Sequence, residues 1–144
     1  MQNVKIKLID SSLPMPAYQT PGAVAFDIYS RIDMEIKPQT LEHIPTNLVV
    51  ETPSGYMLVL SLRSSTPKRK GLLIPNGIGV IDPDFCGPDD EIKLIVFNFT
   101  NETVKIQKAE RIGQGTFVRI DKFNLEEVSE MQNKNRGGIG STKF

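Results

Sequence analysis

The sequence has few of the residues on which several classes of site depend. It contains no tryptophan, one cysteine (Cys86) and one histidine (His43) among its 144 residues. A single cysteine cannot form a disulfide within the chain, which fits a reducing compartment. One histidine and one cysteine also cannot supply a zinc site of the usual ligands, which excludes the zinc-dependent deaminases. We therefore predict a surface role for His43 and a structural role for Cys86.

A charge excess of one sign and long apolar runs are also absent. The 17 basic residues balance the 17 acidic residues, which argues against nucleic-acid binding driven by a global basic field. The opening MQNVKIKLID lacks the apolar stretch of a signal peptide, and no apolar run approaches the roughly 20 residues that span a bilayer. We expect a soluble, cytoplasmic protein that contacts neither membrane nor nucleic acid directly. The length predicts one domain with a real core.

Most apolar residues alternate with polar ones, which is the period of a β-strand. Pro, Gly, Asn and Asp cluster between these runs as turn signals. Many short strands with short polar turns predict an all-β sandwich or barrel. The only candidate helix is the short LEEVSEM at 125–131, and residues 136–144 read as a mobile arm. The alternating runs are NVKIKLI, YMLVLSL, EIKLIVFNF, TVKIQK and GTFVRI.

Two stretches carry polar residues suited to a phosphorylated ligand. In PGAVAFDIYS, Asp27 is either a carboxylate that caps a backbone amide or one directed at a cation. In SLRSSTPKRKGL, a buried strand leads directly into Arg63, Ser64 and Ser65, whose guanidinium, hydroxyl and amide donors suit phosphate oxygens. The alternative for this second stretch is a solvated basic loop, which we assign to residues 68–70.

The stretch IPNGIGVIDPDFCG at 74–87 is the most informative. Its glycines predict a hairpin-like turn that exposes backbone groups at close range. Asp82 follows the apolar pair Val80 and Ile81, where a half-buried carboxylate is costly without a partner or a role. Such a carboxylate could deprotonate water, with Phe85 as a flat wall beside it. The alternative is an Asx turn formed with Pro83.

Two further stretches add weaker signals. RIGQGTF places Gln114 on a predicted strand, where its amide could donate to a phosphate or simply face solvent. RGGIGSTKF at 136–144 has its lysine after the Ser-Thr pair, so it is not a Walker loop. Ordering such an arm costs about 1–2 kcal/mol per residue, which several charge-assisted hydrogen bonds of about 1.5–3 kcal/mol each could offset. We expect this arm to close over a bound polyphosphate; the alternative is a permanently disordered tail.

Taken in order, the five motifs AVAFDIYS, RSST, NGIGVIDPDFCG, RIGQ and RGGIGST resemble those of the trimeric dUTP diphosphatase (dUTPase) family. The resemblance implies a β jelly roll over residues 1–135 that assembles as a homotrimer. It implies active sites shared between subunits, each closed by the arm at 136–144 of a neighbour. The implied reaction hydrolyses dUTP to dUMP and pyrophosphate, which keeps uracil out of DNA and supplies dUMP for dTMP synthesis.

The resemblance also implies a role for each motif residue. Asp82 corresponds to the aspartate that activates the water attacking the α-phosphorus, and Asp27 to the one that reaches Mg²⁺ through water. Phe85 stands where a tyrosine is usual and would pack on the deoxyribose. The remaining implied substrate contacts are Asn76, Gly79, Val80 and Ile81 at uracil, Arg63, Ser64, Ser65 and Gln114 at the phosphates, and Arg136, Ile139, Gly140, Ser141 and Thr142 in the arm. Ile139 replaces the usual aromatic residue that covers the base.

Two rival functions remain open from the sequence. A dCTP deaminase of the same superfamily would have a glutamate on the strand after the third motif and an arginine beyond the serines. Here that strand reads EIKLIVFNF, without an acid in its interior, and Lys68 lies near the arginine position. The second rival is a catalytically idle jelly-roll module that acts only through partners. The complete set of charged motif residues argues against this module.

Overall fold

A computed structural model of the protein describes residues 3–138. These residues form eleven β-strands and one short helix. The strands are β1 Lys5–Leu8, β2 Phe26–Tyr29, β3 Met34–Ile36, β4 Leu41–Pro45, β5 Leu48–Glu51, β6 Tyr56–Leu62, β7 Leu72–Leu73, β8 Gly79–Ile81, β9 Lys93–Asn98, β10 Val104–Ile106 and β11 Arg111–Arg119, and the helix is α1 Thr66–Lys70. The prediction of an all-β fold is confirmed.

The strands pair antiparallel in four small sheets. The largest has the order β2-β11-β6-β8, and a three-stranded sheet has the order β4-β9-β7. Strand β1 pairs with β5, and β10 pairs with β3. Apolar side chains from all of these sheets meet in one buried cluster. The inward face of β6 contributes Leu58 and Leu60 to this cluster, which leaves the alternate residues of the strand on the outer face.

Strand β11 packs so closely on the core that glycine is required in it. A Cβ atom at Gly115 would lie 2.6 Å from Cζ of Phe26 and 3.2 Å from Cδ1 of Leu58. We predict that Gly115→Ala lowers the free energy of unfolding by about 1–3 kcal/mol, the usual cost of overpacking a dense core. Urea denaturation measures this change. The matched control is Gly22→Ala, since no atom lies within 4 Å of its Cβ position; equal losses in both variants would contradict the packing argument.

The predicted helix at 125–131 is wrong, and a helix forms instead in the stretch assigned to a basic loop. Residues 121–138 are exposed and contain neither helix nor strand. Seven residues without a packing partner cannot offset the cost of helix nucleation. Helix α1 is favoured by Pro67 in its first turn and by Gly71, whose φ of 66° is left-handed and whose N–H donates to the Pro67 carbonyl.

The only helix among the described residues has five residues, and none there is long and apolar enough to cross a membrane.

Candidate active site

A row of polar side chains crosses the outer face of the largest sheet. Asp27 on β2 lies opposite Gln114 on β11, and Gln114 lies opposite Ser61 on β6. Residues that are directly opposite on paired strands share one face of the sheet. The Nε2 group of Gln114 donates to Oγ of Ser61 at 3.1 Å. Strand register thus brings together residues from three separate motifs.

Asp27 forms ion pairs with two arginines. Its Oδ1 lies 3.1 Å from Nε of Arg63, and its Oδ2 accepts a hydrogen bond from Nη1 of Arg111 at 3.2 Å. The Asp27 side chain is only 8% exposed, whereas those of Arg63 and Arg111 are 32% and 46% exposed. Two positive charges and one negative charge leave this cluster with one net positive charge. The outer face of the sheet therefore presents a basic site.

The motif that follows β6 turns sharply from the strand into α1. The N–H of Thr66 donates to the Arg63 carbonyl at 2.9 Å, which closes this turn. Ser64 is exposed, and Ser65 is the N-cap residue of α1. The Ser65 hydroxyl forms no capping hydrogen bond within the described chain. Both serines follow Arg63 directly in the chain, and the Ser65 hydroxyl has no capping bond to give up on binding a ligand.

The turn before β8 differs from the predicted hairpin. The N–H of Gly77 donates to the Ile74 carbonyl, and Gly77 has a left-handed φ of 84°. However, β7 pairs with β9 while β8 pairs with β6, so this turn carries the chain from one sheet to another. Strand β8 is an edge strand, and its outer edge presents backbone N–H and C=O groups.

A cavity of about 140 Å³ lies beside β8. Its lining includes Asn76 and the three residues of the strand, Gly79, Val80 and Ile81, together with apolar side chains. Small-molecule pockets usually measure about 300–1,000 Å³. This cavity is therefore smaller than a usual ligand pocket.

Asp82 and Phe85 are the two ends of a tight turn after β8. The N–H of Phe85 donates to the Asp82 carbonyl at 3.2 Å, with Pro83 at the second position of the turn. Asp82 is exposed, because β8 ends at Ile81; the expected partial burial is not seen in the single chain. Phe85 is 40% exposed. Cys86 donates from Sγ to the Pro83 carbonyl at 3.3 Å, which fits a structural thiol.

Residues 3–138 contain no cluster of three or more His, Cys, Asp or Glu side chains that could hold a metal ion. Both carboxylate oxygens of Asp27 are also engaged by arginines. These residues do not form a protein cage for a metal. They fit Mg²⁺ only as an ion that keeps several waters and is bound chiefly by the oxygens of a polyphosphate, as Mg²⁺ often is.

The predicted arm contacts are only partly covered by the described residues. Arg136 is exposed in the segment after β11. The predicted contacts Ile139, Gly140, Ser141 and Thr142 lie outside the described residues.

Arg111 was assigned no role from the sequence, because its pairing with Asp27 depends on strand register. The sequence feature closest to such a role was its position in RIGQ, three residues before Gln114. The pairing of β11 with β2 also shifts register between Arg111 and Gly113, an irregularity that bends the strand locally.

Two arginines on one sheet face supply donors that suit the oxygens of a phosphorylated ligand. Comparison with known proteins identifies the family more closely. The family model described as dUTPase matches residues 11–143. The chain belongs to the dUTPase family.

Individual relatives agree with this assignment. A deoxyuridine 5'-triphosphate nucleotidohydrolase of Nautilia profundicola is 37% identical over 141 residues, covering 96% of this chain and 97% of the relative. A solved dUTPase of Streptococcus mutans is 29% identical, with a TM-score of 0.76 over 83% of this chain and 98% of its own. The dUTPase of Staphylococcus bacteriophage 80alpha shares the fold over the full length of both chains, with a TM-score of 0.87 at 22% identity. The jelly-roll fold of these dUTPases is the fold of this chain.

Proposed function

We propose that the protein hydrolyses dUTP to dUMP and pyrophosphate in an active site shared between the subunits of a homotrimer. This reaction would keep uracil out of DNA and supply dUMP for dTMP synthesis. The observation that carries the proposal is the polar row on the outer sheet face, where Gln114 lies opposite Asp27 and Asp27 pairs with Arg63. Ser64 and Ser65 follow Arg63 directly in the chain. A row of donors with net positive charge matches a triphosphate, the part of dUTP that carries its charge.

The separation of Asp82 from this row supports a shared site. Ser61 belongs to the row, while Ile81 lies opposite Leu58, three residues further along β6. At about 3.4 Å per residue, Ile81 is about 10 Å along the strand from the row, and Asp82 lies beyond it. Within one chain, the proposed water-activating group and the proposed phosphate-binding groups therefore lie apart. A second copy, offering its own row to Asp82, would complete the site.

In the proposed mechanism, Asp82 orients a water molecule and accepts its proton as the oxygen attacks the α-phosphorus. The bond from that phosphorus to the bridging oxygen breaks, and pyrophosphate leaves. Arg63, Ser64 and Ser65 bind the phosphates with Gln114 and stabilise the charge that develops on them. Mg²⁺ would neutralise part of the triphosphate charge, and Asp27 would reach this ion through a water molecule.

Selection of the nucleotide would involve three parts of the shared site. The ring of Phe85 would pack on the deoxyribose and leave no room for a 2′-hydroxyl. Asn76 and the backbone of residues 79–81 would read the edge of uracil in a slot too small for the thymine methyl group. The arm of a third subunit would close the site with Arg136, Ile139, Gly140, Ser141 and Thr142.

Product analysis tests the proposed activity. We expect dUMP and pyrophosphate from dUTP, with kcat/KM at least about tenfold lower for dTTP, since one methyl group in a pocket is worth about 10- to 200-fold. All deoxynucleoside triphosphates and UTP are assayed with and without Mg²⁺, and products are separated by ion exchange. Ammonia release from dCTP would contradict the proposal and identify a deaminase. Absence of turnover with every nucleotide would identify an idle binding module.

A further inference from the structure

A second basic surface lies in a groove beside α1, and none of its residues has a role in the proposed function. The groove measures about 660 Å³, which is within the usual range of small-molecule pockets. One wall is formed by residues 67–71, which include the end of α1. The other wall is formed by residues 99–105, the turn between β9 and β10 and the first part of β10.

Two basic side chains of this groove have no acidic partner within residues 3–138. Lys70 pairs with Glu110 at 2.7 Å and donates to the Lys105 carbonyl at 2.8 Å, so its charge is compensated. Lys68 and Arg69 are exposed and form no ion pair in that part of the chain. Their positive charges therefore remain available to an anionic ligand.

The groove also exposes an aromatic ring. Phe99 is 45% exposed, although the preceding residue, Asn98, is fully buried. The N–H of Phe99 donates to the Gly71 carbonyl at 3.1 Å, which fixes the backbone of Phe99 against the end of α1. Aromatic side chains of this kind are platforms on which nucleobases stack. A ring beside two free cations matches a ligand that has both a planar group and a negative charge.

Hydrogen bonds hold the walls of the groove in place before any ligand binds. The Nδ2 group of buried Asn98 donates to the Glu102 carbonyl at 2.8 Å, and its Oδ1 accepts from Oγ1 of Thr100 at 2.7 Å. A Cβ atom at Gly71 would overlap Cγ2 of Thr100, so the turn packs closely on the end of the helix. A groove that is already formed loses less conformational entropy on binding.

We propose that this groove is a second, non-catalytic binding site for a nucleoside polyphosphate. Lys68 and Arg69 bind the phosphate oxygens, and the ring of Phe99 stacks on the base. On the facing wall, the exposed side chains of Asn101 and Glu102 offer an amide and a carboxylate to the edge of the base. The site shares no residue with the polar row or with β8, so it does not depend on the proposed function.

The limited extent of the charge favours a single nucleotide over a nucleic acid. Nucleic-acid strands bind to positive grooves that continue along the phosphate backbone. Here Lys105 lies 3.4 Å from Glu35 on the neighbouring strand, and Glu102 adds a negative charge to the same wall. The basic surface therefore ends at β10.

Isothermal titration calorimetry tests the site with ATP and, in parallel, with CTP. The active site is first saturated with a non-hydrolysable dUTP analogue, and Mg²⁺ is present throughout. We expect binding to be about tenfold weaker or more in the double variant Lys68→Gln with Arg69→Gln, which removes charge-assisted hydrogen bonds. Phe99→Leu should weaken nucleotide binding about fivefold or more through loss of stacking, and should leave binding of inorganic tripolyphosphate unchanged. If Phe99→Leu does not fold, the affinities of ATP and tripolyphosphate for the unmodified protein give the contribution of the base.

Two matched variants control for charge and for an exposed ring elsewhere. Lys5→Gln with Lys7→Gln removes two exposed charges on β1, and Phe123→Leu removes a ring that is 81% exposed. Both variants should bind ATP as the unmodified protein does.

Several results would overturn the proposed site. They are absence of binding by both nucleotides, unchanged binding in the double variant, and binding that occurs only when the dUTP analogue is omitted, which would place the nucleotide in the active site. Tripolyphosphate binding as tight as that of ATP would exclude a role for the base. Tighter binding of a single-stranded oligonucleotide of about ten bases would identify a nucleic-acid site instead. A protein that binds ATP here and hydrolyses no dUTP would sink the proposed function and leave this inference standing.

Discussion

Asp82→Asn should lower kcat for dUTP hydrolysis by about 10²- to 10⁴-fold, the usual contribution of a positioned general base. The asparagine side chain has nearly the same shape but cannot accept the proton of the attacking water. Asp82 is exposed at the end of an edge strand, so the substitution should leave the fold intact. Nucleotide binding should remain measurable. Pyrophosphate release gives kcat, and calorimetric titration with a non-hydrolysable dUTP analogue gives the binding constant.

The control for this variant lies two residues away on the same turn. Asp84 is also exposed but follows Pro83 inside the turn. Asp84→Asn should retain turnover within a few-fold of the unmodified protein. If Asp82→Asn hydrolyses dUTP at the normal rate, another group activates the water. If both variants lose activity equally, the turn needs its acidic residues for its conformation, and neither residue is identified as the base.

Removal of residues 136–144 should lower kcat/KM for dUTP by about 100-fold or more. The arm contains Arg136, Ser141 and Thr142, and charge-assisted hydrogen bonds are worth about 1.5–3 kcal/mol each, so the loss of two suffices. Residues 121–138 are exposed and form no strand or helix, so the melting temperature should not change. Steady-state kinetics and thermal denaturation of the shortened chain measure both effects. Full activity without the arm would contradict the proposal that residues 136–144 close over the bound triphosphate.

Two comparisons make this test specific. Removal of residues 143–144 alone takes away no proposed contact and should leave kcat/KM nearly unchanged. Mixing the chain that lacks 136–144 with the Asp82→Asn chain should restore part of the activity after subunit exchange. In a shared site, the first chain offers Asp82 and the second offers an arm. Mixtures that form hybrid trimers but remain inactive would show that each chain must supply both parts.

Strands with strong alternation were predictable from sequence, and strands defined by their partners were not. The runs at 56–62 and 91–99 contain β6 and β9, and the overlapping stretches RIGQGTF and GTFVRI together cover β11; these are the longest strands among the described residues. Strand β7 has only two residues and exists because it pairs with β9. No local pattern can identify a strand of this length. The hairpin predicted around Gly77 is wrong for the same reason. The strands on either side of this turn pair with different distant strands, β7 with β9 and β8 with β6, rather than with each other.

The helix and the ion cluster show a similar division. Local signals for α1 were present in Pro67 and Gly71, but the run of basic residues suggested a loop. Asp27 was identified as unusual because it is an acid in an apolar strand, and its two alternatives were a backbone cap and a cation ligand. The structure pairs it with guanidinium cations of Arg63 and Arg111. That pairing depends on the register of three strands, which composition and periodicity do not encode.

Strand β8 also bears on the solubility of the protein. An exposed edge strand can recruit another strand and start aggregation. Val80 is 51% exposed on this edge, which adds to the hazard. The strand stops after three residues at Asp82 and Pro83, a charge and a residue that cannot donate to a further ladder. The pair that ends the strand and begins the turn of Asp82 therefore also protects the edge from unwanted association.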